Sequence, residues 1–557
     1  MLRIIYGKPG TGKSKKSFAE VAELVKTEKK IYIITPEQFS FTAEAKLLEE
    51  ITGNSVINAE VITLSRMAQR VIEEVGNAGE KHLSKTGKTM LIYHLLNKNL
   101  ANLKFLGKTD ENVEVVLKCL SEFKKHSIDS NLIDQEIEKA DNQYFKTKLQ
   151  DLNIIYKEYE KQIKNKYIEE TDMLSMLENN IEKSDIVKDS YIYIDEFSGF
   201  TKQEYRVISK LIKLAKQVNI TLCIDNLDLM TNPDIDIYYS NKQTYRKLLE
   251  LVNQNELKIE EYVKLEEKHR FKTPELKHIS NEMEKQIWNK YEDKVENVSI
   301  FLAKNRYSEI EHIAKQIKIL VRDKGYLYKD IGIITKNLET YSSLVRTIFA
   351  EYDIPVFIDE KRDLNQNIIV KYVLSIIEVI NSNFGKEEVI NYIKSGMVDI
   401  EEQDIYKFEN YVLKWGINRN KFLIPFTKGT TEELLYLNNL RVAIVNPLLS
   451  LKESISKDRT VLVISKQIYE FLNNTNITSK IENKVKRLEE KGYIEIANEY
   501  VSSYKLILEI LDEMVTIFNK DKMQLDKYLR IFKTGLKAEG LRKNTRNSRP
   551  SYTWGCR

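Results

Sequence analysis

Short apolar runs alternate with helically spaced apolar residues through the first part of the chain. Residues 2–6 form an apolar run of strand type, and Phe18, Val21 and Leu24 then recur at helical spacing. Further apolar runs, each followed by a helical pattern or by acidic residues, occupy 30–35, 60–64, 191–194 and 217–225. This pattern predicts a parallel sheet assembled from segments on both sides of a long insertion.

The insertion and the second half of the chain are dominated by helical spacing. Residues 80–188 have a helical pattern throughout, and so do residues 366–535. Between these blocks the pattern predicts a second α/β unit, with strands at 298–302, 330–335 and 354–358 and helices at 308–324 and 341–349. The predicted fold class is α/β, with two parallel-sheet cores, the second incomplete, each carrying a large helical insertion.

Composition narrows the class of protein. The chain has 557 residues, 42% hydrophobic and 31% charged, which suits a soluble globular chain and excludes wholesale disorder. Lys and Arg total 87 against 83 Asp and Glu, so the net charge of +4 does not by itself indicate a nucleic-acid binder. The three cysteines are far apart and form no zinc-binding pattern. Without a signal-type N-terminus or an apolar run of about 20 residues, we expect a cytoplasmic protein with no membrane partner.

The strand at residues 2–6 leads directly into a complete GxxxxGK[ST] sequence. Glycines in such a turn allow successive N–H groups to point at an anion, and the following helix adds its positive dipole end. Lys13 is expected to meet the β- and γ-phosphates, and Ser14 to ligate Mg²⁺. We therefore predict an ATP site, and the alternative is a glycine-rich turn without function. The predicted nucleotide-binding residues are Gly7, Lys8, Pro9, Gly10, Thr11, Gly12, Lys13 and Ser14.

A second motif lies on the far side of the first helical insertion. The apolar strand at 191–194 ends in Asp195 and Glu196, which is the Walker B form. Asp195 is expected to hold Mg²⁺ through water, together with Ser14, and Glu196 to polarise the attacking water. The alternative is a strand end whose two acids face solvent.

Taken in order, these motifs resemble the superfamily 1 helicases and, among them, the AddB family, the B subunits of bacterial AddAB helicase–nucleases. Recognisable strings cover residues 1–375, and a looser match continues to about residue 535. Besides the P-loop, the strings that carry the resemblance are 34–41 (ITPEQFSF), 63–68 (TLSRMA), 167–177 (YIEETDMLSML), 194–197 (IDEF), 200–204 (FTKQE), 269–271 (HRF), 303–311 (AKNRYSEIE) and 354–359 (IPVFID).

The resemblance implies two RecA-like cores, an AddA partner in a heterodimer, and action on double- and single-stranded DNA in recombinational repair of double-strand breaks. It also implies ATP and Mg²⁺ as cofactors, and a 4Fe–4S cluster in full-length members. Arg270 matches the arginine that reaches the γ-phosphate across the cleft between the cores, and the alternative is a solvated arginine beside His269. Aromatic and basic residues just past two strand ends match DNA-facing loops, although core packing fits the aromatic residues equally well. These residues are Phe39, Phe41, Ser65 and Arg66.

The chain departs from the family in three ways. Only six residues precede Gly7, so the upstream Gln that reads adenine is missing, and the Gln expected after the strand ending at Asp225 is not evident. The C-terminal nuclease and its cluster need four Cys thiolates, which three scattered cysteines cannot supply. Residues 536–557 differ in composition from the rest. We expect a truncated or frameshifted member, with a basic DNA-binding arm as the alternative for the tail. In a truncated chain, the apolar residues Tyr504, Ile507, Leu508 and Leu511 should be only partly buried.

Three functions remain open at this point. The first is a helicase-like subunit of an ATP-driven DNA-processing enzyme, without the nuclease. The second is a DNA-binding scaffold whose P-loop is only structural, and the third is a stand-alone superfamily 1 ATPase. The predicted domains are a first RecA-like core in two parts (1–80 and 189–290), its helical insertion (81–188), the beginning of a second core (291–375), a second helical insertion (376–535) and an aberrant or disordered basic tail (536–557).

Overall fold

The computed structural model describes the chain apart from residues 28, 52–57, 77–80, 107–111, 127, 165, 230–235, 284, 286, 359–360, 363–366, 540 and 543–557. The chain divides into two units. Unit 1 comprises Met1–Leu83, Lys104–Leu106 and Val115–Ile300, and unit 2 comprises Ser84–Leu103, Gly107–Glu114 and Phe301–Arg557. The fold is α/β, as predicted, with a six-stranded parallel sheet and many helices.

Ten strands are defined in the described residues. They are β1 (Leu2–Gly7), β2 (Ile31–Ile34), β3 (Ala59–Ile62), β4 (Lys81–Leu83), β5 (Tyr167–Glu169), β6 (Tyr191–Ile194), β7 (Gln217–Cys223), β8 (Val263–Leu265), β9 (Lys361–Arg362) and β10 (Leu541–Arg542). The helices are α1 (Lys13–Leu24), α2 (Ser40–Glu50), α3 (Leu64–Val75), α4 (Lys85–Lys98), α5 (Asn112–Lys125), α6 (Ser130–Lys139), α7 (Gln143–Ile163), α8 (Glu170–Asn180), α9 (Lys202–Leu214), α10 (Tyr239–Gln254), α11 (Pro274–Glu282), α12 (Arg306–Lys324), α13 (Leu338–Glu351), α14 (Ile368–Asn381), α15 (Lys386–Ile393), α16 (Glu402–Lys414), α17 (Thr431–Lys457), α18 (Val461–Asn474), α19 (Ile477–Glu490), α20 (Ile494–Phe518) and α21 (Leu525–Glu539).

The large sheet of unit 1 has the strand order β3-β2-β6-β7-β1-β8, and every neighbouring pair is parallel. Its register aligns Gly7 with Cys223, and Ile34 with both Ile62 and Ile194. The carboxyl ends of these strands therefore meet at one edge, where ligands bind in open α/β sheets. The five strands predicted in this unit are confirmed, whereas β8 was not predicted.

Both faces of this sheet are buried, because the side chains of a strand alternate between its faces. In β2, Tyr32 and Ile34 join the core cluster on one face, and Ile31 and Ile33 join the cluster on the other. Helix α1 is tied to the sheet by Glu20, which accepts hydrogen bonds from Arg3 at 2.7 and 3.0 Å and from Tyr193 at 3.2 Å. These contacts fix the helix that follows the P-loop.

Unit 2 is largely a helical assembly. Helix α4 packs against α20 and α21, and α14 packs against α15, α17, α20 and α21. Gly535 allows α21 to approach closely, since a Cβ added there would lie 2.9 Å from Met90 Sδ. The prediction of helices over 366–535 is confirmed by α14–α21. Within 80–188 the helices are also confirmed, apart from the short parallel pair β4 and β5.

The three strands predicted at 298–302, 330–335 and 354–358 are wrong, since these segments contain no strand in the structure. Helices α12 and α13 do form there and enclose a small core with Ile310, Ile348 and Phe349. The apolar residues of two of the segments point outward, with Ile300 96% and Ile334 98% exposed. A strand is held by backbone pairing to a neighbour, and in the described part of the chain these segments form no such pairing.

Helix α20 contradicts part of another prediction. Ile507 and Leu511 are 0% and 4% exposed, because α4, α14, α18, α19 and α21 cover their side of the helix, whereas Tyr504 and Leu508 are partly buried, as predicted.

Of the predicted tail, residues 536–539 complete α21 and β10 pairs with β9, and residues 540 and 543–557 lie outside the described residues.

Helix α17 has, by length and composition alone, what a membrane-crossing helix needs. A core helix of a soluble protein passes the same test, so one such helix is weak evidence. Arg441 lies in the middle of α17, is 8% exposed, and donates to the carbonyl oxygen of Phe422 at 3.1 Å. Leu437, Ile444 and Leu448 are also buried, so α17 packs along part of its surface within unit 2.

Candidate nucleotide-binding site

The GxxxxGK[ST] sequence forms the turn between β1 and α1, as predicted. Gly10 and Gly12 have φ angles of +83° and +84°, the left-handed region that glycine adopts without strain. Gly7 is needed for a different reason, since a Cβ there would fall against the carbonyl oxygen of Leu265 in β8. The amide and hydroxyl of Thr11 both donate to the carbonyl oxygen of Lys8, at 3.3 and 2.9 Å. The loop is therefore shaped by contacts of its own and by β8.

Lys13 begins α1 and folds back over the loop. Its Nζ donates to the carbonyl oxygens of Gly7 and Lys8, both at 2.9 Å. Burial lowers the pKa of the Lys13 ammonium below its ordinary value, although Cys223 and Asp195 oppose the shift. A partly desolvated ammonium held by neutral carbonyls gains from meeting phosphate oxygens instead.

Two acids at the end of β6 complete the site. Ser14 Oγ donates to Glu196 Oε1 at 3.3 Å, so the structure brings together two motifs that are 182 residues apart. Asp195 is 3% exposed, and its Oδ1 accepts a hydrogen bond from the Thr221 hydroxyl. Glu196 has a φ of +64°, a conformation that costs a non-glycine residue about 1–2 kcal/mol and is concentrated at functional sites. The alternative in which both acids face solvent is wrong for Asp195, which is buried, whereas Glu196 is exposed and bonded to Ser14.

These residues line one cleft of about 620 Å³ in unit 1. The sequence-predicted residues along it are Pro9, Gly10, Gly12, Lys13, Ser14, Asp195, Glu196 and Arg270. Gly7, Lys8 and Thr11 do not line the cleft, and they contribute the backbone contacts described above. The volume is within the range of ligand pockets in proteins.

The donors at this edge are hydroxyl and carboxylate oxygens, which suit Mg²⁺. Ser14 Oγ and the Asp195 carboxylate are the groups that fit its coordination, together with phosphate and water oxygens. Among the residues the structure describes, no group of three or more His, Cys, Asp and Glu side chains is arranged to hold a metal.

Arg270 lies in the same unit as the P-loop, on the segment that follows β8. The amides of His269 and Arg270 donate to the carbonyl oxygen of Gly10 at 2.9 and 3.3 Å, and both side chains line the cleft. The Arg270 side chain is exposed at the mouth of the cleft. Gly10 and Arg270 are in close contact, since a Cβ on Gly10 would lie 2.9 Å from Arg270 Cβ.

Among the cleft residues that were not predicted from the sequence are three from β7 and α10. Thr221 and Cys223 are alternate residues of β7, and this period of two could have placed them on one face. Asn241 comes from the first turn of α10 and carries no sequence signal, because only the fold brings that turn beside β7.

The four residues predicted to contact DNA follow the carboxyl ends of β2 and β3. Phe39 and Phe41 are 37% and 55% exposed, so the alternative of core packing is wrong for both. Ser65 and Arg66 are also exposed, in the first turn of α3, where the Thr63 side chain accepts from the Arg66 amide at 3.2 Å. All four lie at the same edge of the sheet as the P-loop.

Comparison with known proteins identifies similar proteins of one family. A family model described as ADDB, N-terminal, matches residues 4–280. The B subunit of the ATP-dependent helicase/deoxyribonuclease of Clostridium tetani is 35% identical over 562 residues, which cover 96% of this chain and 49% of that protein. The proteins of the same name from Clostridium botulinum strain Hall and Clostridium novyi are 32% and 30% identical, with 96% of this chain and 48% of each relative covered. The chain thus spans about half the length of these relatives.

Proposed function

We propose that this chain, which belongs to the AddB family, is the helicase-like part of the B subunit of an ATP-dependent helicase/deoxyribonuclease. In this role it binds ATP with Mg²⁺ in unit 1 and engages DNA during the processing of double-strand breaks for homologous recombination. The observation that carries the proposal is the single cleft in which the P-loop, Asp195 and Glu196 converge. We assign no nuclease step and no iron–sulfur ligand to these residues.

The roles of the site residues follow from their positions. Lys13 exchanges its two carbonyl partners for the β- and γ-phosphates, and the amides of Gly10, Gly12 and Ser14, which line the cleft, are available to the phosphate chain. Mg²⁺, held through Ser14 and Asp195, supplies charge neutralisation on the phosphates. Glu196 is the base that orients and polarises water, and the strained backbone there presents its carboxylate to the cleft. Arg270 supplies positive charge at the mouth of the cleft.

Residues 291–375 are proposed as the beginning of a second RecA-like core. The support is the order of segments, in which α12 and α13 alternate with the three apolar segments at 298–302, 330–335 and 354–358. In a parallel-sheet protein such segments require strand neighbours on at least one side.

The partners proposed are an AddA subunit in a heterodimer and both double- and single-stranded DNA, in the cytoplasm. The relatives are named as a B subunit, which supports a second, different subunit, and the words helicase/deoxyribonuclease in that name support DNA. Exposed Phe39 and Phe41 offer aromatic surfaces on which bases stack, and Arg66 offers a charge for a phosphate.

The site is tested by measuring nucleotide binding by the Lys13→Ala variant and by a control variant, Lys16→Ala. Loss of the ammonium should abolish ADP and ATP binding by the full chain, measured by equilibrium dialysis with Mg²⁺. Lys16→Ala, one turn along α1 on an exposed side chain that pairs with Glu20 at 3.2 Å, should bind as the unaltered protein does. Unchanged affinity in Lys13→Ala would refute the site.

The rate of ATP hydrolysis separates an active subunit from a scaffold with a structural P-loop. An active subunit should hydrolyse ATP faster with single-stranded DNA, and Glu196→Gln should remove this hydrolysis while nucleotide still binds. A scaffold with a structural P-loop predicts binding without hydrolysis in both proteins.

A further inference from the structure

The N-terminal part of α10 contacts two of the loops that form the nucleotide cleft. Asn241 Nδ2 donates to the carbonyl oxygen of Cys223, at the end of β7, at 2.9 Å. Thr244 Oγ1, one turn later, donates to the carbonyl oxygen of Ser198 at 3.1 Å, just past Glu196. The same stretch of helix therefore contacts the strand beside the P-loop and the loop that carries the proposed base.

The orientation of the Asn241 carboxamide follows from its partner. A backbone carbonyl oxygen can only accept, so the amide nitrogen must be the atom that meets Cys223, and Oδ1 is directed elsewhere. Asn241 lines the cleft, and its Oδ1 is buried without a hydrogen-bond partner in the structure. A buried acceptor is rarely left unpaired, since it has given up water without a replacement.

The position of this oxygen identifies what can satisfy it. Cys223 pairs with Gly7 in the register of β1 and β7, and the Gly7 carbonyl oxygen accepts from Lys13 Nζ at 2.9 Å, so Asn241 lies at the end of the cleft where the β- and γ-phosphates are expected. A carbonyl oxygen cannot bond to phosphate oxygens, because both are acceptors. It can accept from a water molecule beside the γ-phosphate.

We infer that Asn241 is a positioning residue of the nucleotide site, whose Oδ1 accepts a hydrogen bond from the water that Glu196 polarises. The inference rests on the proposed nucleotide-binding function. The water then has two acceptors, one from α10 and one from the loop after β6, which fixes the direction of its lone pair toward the γ-phosphorus. Because Nδ2 is bonded to β7, movement of Cys223 is transmitted to this acceptor.

Affinity for nucleotide analogues tests the inference in the full chain. The probes are a fluorescent ADP with Mg²⁺, alone and with aluminium fluoride, which mimics the γ-phosphoryl group together with its attacking water. Asn241→Leu should bind ADP within about twofold of the unaltered protein and the aluminium fluoride complex about tenfold more weakly, the effect of losing one hydrogen bond. Asn241→Ser, which keeps a donor but not the carboxamide oxygen, should behave in the same way if the leucine variant does not fold.

Asn253→Leu is the matched control, on an exposed position of the same helix, and should change neither affinity. Equal losses for ADP and for the complex would overturn the inference, because a merely structural role affects both. Unchanged binding of both, or an unaltered protein that does not distinguish the two ligands, would also overturn it. Absence of ADP binding by the unaltered protein would refute the proposed function itself, which separates that failure from the failure of Asn241.

Discussion

Lys242, in the first turn of α10, is a deeply buried cation in contact with this end of the sheet. Its side chain is 3% exposed and its Nζ lies 2.9 Å from Asp225 Oδ1 and 2.8 Å from Asp236 Oδ2. Burial alone lowers the pKa of Lys242, but its hydrogen bonds to Asp236 and Asp225 hold the pKa above its ordinary value. We predict that Lys242→Met, which keeps the length of the side chain and removes its charge, strongly destabilises unit 1.

The magnitude follows from the geometry. At these separations each ion pair contributes about 6 kcal/mol at an effective dielectric constant of about 20, most of which offsets the desolvation of three charges. Removing the shared cation leaves two carboxylates side by side, and breaking a buried pair costs about 3–5 kcal/mol. The Asp225 side chain is 28% exposed and keeps some water, which places the expected loss near the lower end, at about 3 kcal/mol.

Hydrogen–deuterium exchange of peptides from β7 and α10 measures this loss locally, which matters because a chain of two units does not unfold in a single step. Lys247→Met, which removes an exposed cation 5.4 Å from the centre of the Tyr205 ring, should change the opening free energy by no more than about 1 kcal/mol. The triple variant Lys242→Met/Asp225→Asn/Asp236→Asn should recover much of the loss, because it leaves no unpaired charge. A loss below about 1 kcal/mol in Lys242→Met, or no recovery in the triple variant, would refute the electrostatic reasoning.

Two further predictions concern titration and access. Burial, followed by the charges of Lys527 and Lys98, lowers the pKa of His94 to about 4, below its ordinary value of about 6.5. The unfolded chain therefore binds a proton at His94 before the folded chain does, so unit 2 should lose stability as the pH falls from about 6.5 toward 4. The expected loss at pH 5 is about 1 kcal/mol after allowance for solvent screening. His94→Gln should flatten this dependence in exchange measurements on α4 and α20, and an unchanged slope would contradict it. Cys223 lines the nucleotide cleft and Cys119 does not, so ADP at about ten times its Kd should slow maleimide labelling of Cys223 about tenfold and leave Cys119 unaffected. Equal slowing of both thiols, or of neither, in peptide mass spectra would be evidence against a nucleotide in this cleft.

The strands that the sequence predicts correctly are mostly apolar, because strands of a parallel sheet are covered on both faces. Residues 31–34 are an example, and all four side chains are buried. Strand β8 was not predicted, because it has only three residues at the sheet edge, with Lys264 in the middle, and these form no apolar run. The segments at 298–302 and 330–335 show the converse error. An apolar run indicates that a segment tends to be buried, but it does not indicate whether a neighbouring strand is available for backbone pairing.

The candidate site divides in the same way. The P-loop and the acids of β6 are local sequences whose chemistry is contained in consecutive residues, so the motif alone locates them. Asn241 contacts the end of β7, and Lys242 contacts Asp225 just after it. Both residues lie at the start of α10, and residues 230–235 before this helix carry no motif. The register of β6 against β7 and the approach of α10 are properties of the assembled sheet. Only the structure could reveal them.

The position of β1 has a consequence for how the chain acquires its structure during synthesis. Although β1 is made first, its pairing strands in the described part of the chain are β7 and β8, which begin only after residue 216. At about 5–20 residues per second a ribosome needs roughly 10–40 s to supply β7, and closing so long a loop costs about 5 kcal/mol of chain entropy. The phosphate-binding loop therefore leaves the ribosome before the strands that hold it in place, and it acquires its shape late. During that interval an apolar strand with two open edges is available to wrong partners, and a chaperone that binds short apolar segments has its clearest target at residues 2–6.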